Sequence, residues 1–103
     1  MENLTKSNFE SKVGGAIVFV DFWADWCGPC RALAPIYESV ANKFQDKAVF
    51  MKCNVDEEQM IAVKQGIISI PCIIAFSEGK AIDKFVGLTN EAGLTAFIQK
   101  HIK

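Results

Sequence analysis

Ala16-Ile-Val-Phe-Val-Asp-Phe-Trp-Ala-Asp-Trp-Cys-Gly-Pro-Cys30 is the stretch on which the fold turns. Its first part, residues 16–23, is β-branched and aromatic at consecutive positions, as in a strand buried on both faces of a sheet. One acid, Asp21, breaks that apolar run. From Gly28 onward the period changes. Leu33, Tyr37, Val40 and Phe44 recur on one helical stripe, so a helix begins beside Trp26-Cys27-Gly28-Pro29-Cys30. A buried strand feeding directly into an amphipathic helix is the unit from which α/β folds are built.

The same alternation continues outward. Residues 48–55 and 72–76 read as further strands, and residues 77–80 as a turn into a hairpin partner over 81–86. Met60 and Val63 mark a short helix stopped by Gly66. Leu94, Phe97, Ile98 and Ile102 mark a last helix that Asn90 can cap. A weaker pattern predicts a short helix over residues 7–13. The expected class is α/β, a mixed sheet with helices on both faces, in one domain over residues 1–103.

Composition narrows the function. The chain has 103 residues, half of them apolar and 22% charged, enough to bury a core. A formal net charge of −1 offers no positive excess for a polyanion, so nucleic-acid binding is not expected. The apolar run of residues 16–20 ends at Asp21, far short of the ~20 residues a membrane span needs. Residues 1–6 lack an apolar h-region, and the expected location is cytoplasmic. In a reducing compartment four cysteines suggest metal binding or redox chemistry rather than a disulfide framework.

Cys27 and Cys30 are three apart at a helix start, where two sulfurs can meet. Unpaired N–H groups and the positive dipole end there stabilise a Cys27 thiolate. Cys30 shares the inward stripe of Leu33 and Tyr37. The thiols are therefore expected to differ, Cys27 exposed and attacking, Cys30 buried and resolving. Pro29 suits a first turn, whose N–H groups have no helical partner. A structural zinc would need four ligands, and Cys53, Cys72 and the single histidine His101 are scattered. Cys53 and Cys72 read as buried small hydrophobes. Pro35 should bend the helix it interrupts. Strand alternation puts Asp21 on the side of Ile17 and Phe19. If that side is covered, its pKa rises and it can accept the Cys30 proton; otherwise it is a solvated strand-end residue.

The segment from Val20 to Cys30 resembles the active-site segment of the thioredoxin family. The likeness continues through Ala34-Pro35, Asn54-Val-Asp56, Gly66-Ile-Ile-Ser-Ile-Pro71, the Gly79 turn and Val86-Gly87. The resemblance implies a thioredoxin fold, with about five strands, the first one short, and four flanking helices. It implies a monomeric protein-disulfide reductase whose Cys27 attacks a target disulfide and whose Cys30 then releases it. It also makes Pro71 a cis-proline facing the redox pair and Lys52 the residue that tunes the pKa of Asp21. Trp26, Gly28, Pro29, Ile70, Val86 and Gly87, with Leu88, would form an apolar docking surface for disulfide-containing target proteins. No metal or bound cofactor is implied; electrons would come from NADPH through a thioredoxin reductase. Cys72 departs from the family, which commonly has threonine there. The rival readings are an oxidase or isomerase of the same fold, which the uncharged Gly28-Pro29 pair disfavours, and a non-catalytic binding module.

Overall fold

A computed structural model describes residues 2, 3, 5, 8 and 16–102. Four strands form the body of one mixed sheet: β2 (Val18–Trp23), β3 (Val49–Asn54), β4 (Cys72–Ser77) and β5 (Lys80–Val86). A two-residue β1 (Glu2–Asn3) adds a fifth at one edge, giving the order β1-β3-β2-β4-β5. β3 runs parallel to both β1 and β2, whereas β4 is antiparallel to β2 and β5. Three helices accompany the sheet among the described residues: α1 (Gly28–Lys43), α2 (Gln59–Lys64) and α3 (Glu91–Gln99). The resemblance implied four; the remaining candidate, over residues 7–13, lies outside the described residues except for Asn8. α1 continues through Pro35 over its 16 residues.

Side-chain alternation along β2 divides the core in two. Val18, Val20 and Phe22 point to one face, where Met51, Cys53, Cys72, Ile74, Phe76 and Ile61 of α2 meet them. Phe19 points to the other, against Leu33, Tyr37 and Val40 of α1 and Leu94, Phe97 and Ile98 of α3. Asp21 follows Phe19 by strand period and therefore lies under α1. The two-sided burial of residues 18–22 explains why this strand reads as a continuous apolar run. α2 forms where the sequence predicts it, ending before Gly66. Met60 and Val63 face solvent and only Ile61 is buried, because a helix of six residues presents little more than one side chain to the sheet. The β4–β5 hairpin turns at Glu78 and Gly79, both with positive φ (53° and 79°), the geometry that matches strand twist and that glycine adopts without steric cost.

α1 is tied to the sheet by one buried hydroxyl. Tyr37 Oη lies 3.0 Å from the Phe19 carbonyl oxygen and 2.9 Å from that of Met51, so its proton serves the junction of β2 and β3. Its ring is packed among the apolar side chains of this core, edge-on to Phe50. Tyr37→Phe should therefore lower stability by about 1 kcal/mol, the usual worth of one buried hydrogen bond. Urea unfolding would register this as an earlier midpoint at unchanged slope; an unmoved midpoint would show that the hydroxyl contributes nothing.

Candidate active site

The turn from β2 into α1 places the two cysteines. Cys27 is the N-cap of α1, with extended backbone (φ −89°, ψ 108°), and its Sγ accepts the Cys30 N–H at 3.2 Å. Gly28 and Pro29 occupy the first two helical positions, where proline removes no helical hydrogen bond. One turn of helix brings Cys27 and Cys30 to a Cα separation of 5.2 Å, and the pair is joined as a disulfide. The Cys30 N–H at the helix start points where a Cys27 thiolate would carry its charge, which with the positive end of the helix dipole lowers the energy of that thiolate.

The expectation of an exposed Cys27 is corrected. Cys27 is 5% exposed and Cys30 2%, because Ala24 is buried beside them and Trp23, Val55 and Ile70 pack over them. What reaches Cys27 from across the fold is backbone: the Ile70 carbonyl oxygen lies 3.8 Å from its Sγ. The Ile70–Pro71 peptide bond is cis. The Pro71 carbonyl accepts the Gly87 N–H at 2.8 Å, which ties the end of β5 to the proline. Gly87 has φ +100°, a conformation that side-chain-bearing residues rarely adopt. Val86 and Leu88 beside it are exposed, and Ile70 is half-buried.

Trp26 stands 67% exposed at the mouth of the site, and its indole N–H donates to the Asp56 carboxylate at 2.8 Å. Ile68 is 96% exposed on the loop leading to Pro71. The Arg31 guanidinium folds back to donate to the Asp25 carbonyl at 2.7 Å, closing the loop that carries Cys27. Asp56, Ile68 and Arg31 had no assigned role in the sequence reading. The first two lie within the motifs that carry the family resemblance, but nothing local to them announces a contact thirty residues away.

Asp21 lies beneath this surface, 1% exposed. Neither of its oxygens has a hydrogen-bond partner among the described residues. Burial pushes its pKa up to about 6, against a smaller opposing pull from Lys52. Lys52 stands opposite Asp21 in the β2–β3 register, but its ammonium sits over the Trp23 ring, 4.6 Å from the centroid. Cys53 and Cys72 are free and buried on the far face of the sheet. Burial pushes the Cys53 thiol up to about 12 and that of Cys72 upward too, so both stay protonated at neutral pH. No group of three or more His, Cys, Asp or Glu side chains converges on a metal-sized site among the described residues.

The thioredoxin family model matches residues 1–100. The chain belongs to the thioredoxin family. It is 40% identical over 99 residues to a thioredoxin of Staphylococcus epidermidis and, to the same degree, to one of Staphylococcus aureus, covering 96% of this chain and 95% of each relative. Solved thioredoxin structures share the architecture. That of Plasmodium falciparum superposes with a TM-score of 0.91 at 33% identity, covering 98% of this chain and 99% of that one. That of Malassezia sympodialis gives 0.89 at 37% identity, covering 94% and 85%. Thioredoxins are thiol-disulfide oxidoreductases that need no bound cofactor, accept electrons from thioredoxin reductase and act on disulfide targets. This thioredoxin-family chain, with its redox-active Cys27–Cys30 pair, is a protein-disulfide reductase. No helix among the described residues is long and apolar enough to cross a membrane.

Proposed function

We infer that the single domain, residues 1–103, reduces target disulfides in the cytoplasm as a monomer, with NADPH as the electron source through a thioredoxin reductase. The Cys27 thiolate attacks one sulfur of the target disulfide, and the other target sulfur leaves as a thiolate. Cys30, giving its proton to Asp21, then attacks Cys27 and expels the second target thiol. The net exchange converts the protein dithiol to the Cys27–Cys30 disulfide and the target disulfide to a dithiol, two electrons in all. Lys52 adjusts the proton affinity of Asp21. Gly28 and Pro29 shape the turn that sets the two sulfurs. The Ile70 backbone beside cis-Pro71 would receive an extended target segment, with Trp26, Val86 and Gly87 forming the surface around it.

The observation that carries this reading is the bonded cysteine pair at a helix N-terminus, with the Ile70 carbonyl at its edge. Reduction of insulin by dithiothreitol, followed by turbidity, tests it. The chain should accelerate precipitation catalytically, and Cys27→Ser should return the rate to that of dithiothreitol alone. Equal activity of the two proteins would overturn the assignment.

A further inference from the structure

Asp21 and Lys52 face each other across paired strands on one side of the sheet, an arrangement in which opposite charges ordinarily join. They do not join here. Both Asp21 oxygens are without a hydrogen bond among the described residues, and the Lys52 ammonium instead lies over the Trp23 ring. Trp23 is two residues beyond Asp21 on β2, so its side chain emerges on the same face. The indole carries a penalty at this place. Its Nε1 is buried with no partner among the described residues, a cost that phenylalanine would avoid. What the indole adds over a phenyl ring is the stronger π-face for a cation.

We propose that Trp23 is a positioning residue whose ring holds the Lys52 ammonium away from the Asp21 carboxylate, leaving that carboxylate unpaired and free to take a proton. This rests on the reading of Asp21 as the proton acceptor for Cys30. Four elements among the described residues border the face of the sheet on which Asp21 lies. β3 presents Lys52, α1 presents Tyr37, β4 presents Ile73 with Cys72 on its far side, and α3 packs Leu94, Phe97 and Ile98 onto this face. Tyr37 and Cys72 are both pushed upward by burial and are neutral through the range in which a carboxyl titrates. Among the described residues Lys52 is thus the charge that bears on the acid. Attraction grows as separation falls, so an ammonium released from the ring moves in and makes Asp21 a weaker base.

The test is the Asp21 titration itself, read from its carboxyl carbon by NMR in the oxidised protein. Trp23→Leu should lower the midpoint by about one pH unit, a tenfold loss of proton affinity. Trp23→Phe, which keeps an aromatic face, should lower it by less than half as much. In a Lys52→Met background Trp23→Leu should have no effect. An unmoved midpoint in Trp23→Leu, or the same shift with and without Lys52, overturns the proposal. A measurement on the wild type guards against a leucine variant that fails to fold: the Lys52 ε-methylene protons should show an upfield ring-current shift, and its absence also overturns the proposal. Single-turnover kinetics separate the two ideas. A lowered Asp21 midpoint with a tenfold slower Cys30 step supports both, whereas a lowered midpoint with an unchanged step supports the positioning by Trp23 and removes Asp21 as the proton acceptor.

Discussion

Cys30→Ser should hold target proteins as covalent mixed disulfides through Cys27, while Cys27→Ser should hold almost none. The asymmetry follows from the helix cap. The Cys27 Sγ accepts the Cys30 N–H and faces the Ile70 carbonyl, whereas Cys30 is on the inward stripe of α1. Removing Cys30 leaves the attack intact and deletes the thiol that resolves it. Resolution in the wild type is intramolecular, and well-oriented neighbours reach effective molarities of about 10⁵ M or more. External thiol at about 1 mM is a poor substitute, so the mixed disulfide of Cys30→Ser should outlive the wild-type one by at least about a thousandfold. Non-reducing gels of a lysate exposed to each variant would display it. Equal trapping by both would mean that the attacking and resolving roles are not divided as inferred.

Asp21→Asn should stabilise the protein at pH 7 and slow its chemistry. The carboxylate is buried without hydrogen bonds, and its folded pKa stands near 6 against 3.8 in the free residue. For an acid whose folded pKa is raised, the neutral form is favoured by folding. That contribution is complete below about 3.8, declines as pH climbs towards 6, and above 6 the full penalty of a buried charge remains. A displacement of about two units corresponds to about 3 kcal/mol. Asparagine removes the charge but keeps a buried polar group, so a gain of about 2 kcal/mol at pH 7 is expected, shrinking towards zero near pH 4. In urea this is a midpoint later by about 1 M. The same substitution removes the proposed acceptor for the Cys30 proton and should slow release from the mixed disulfide by about a hundredfold, while attack by Cys27 is spared. Urea melts across pH, paired with single-turnover kinetics, measure both. A destabilised variant with normal turnover would make Asp21 an ordinary strand residue.

Much of this site is legible in the chain itself, where the physics is local. Apolar period alone places β2 before α1, because a strand repeats every two residues and a helix every 3.6. The three-residue spacing of Cys27 and Cys30 puts them on one turn of that helix, and alternation puts Asp21 on the side of Phe19, which only the packing of α1 shows to be covered. Where the local signal is thin it gives the element but not its buried face: α2, six residues long, forms as predicted, yet presents Ile61 inward and leaves Met60 and Val63 in solvent. The covering of Cys27 by Ile70 joins residues 43 apart, and the pairing of Trp26 with Asp56 joins residues 30 apart. Lys52 resting on Trp23 instead of Asp21 is a choice between two partners on the same face. Periodicity in a chain reports which way a side chain points. Which atom it meets there depends on how elements distant in sequence pack, and that contact decides how well Cys27 is shielded and how strongly Asp21 binds its proton.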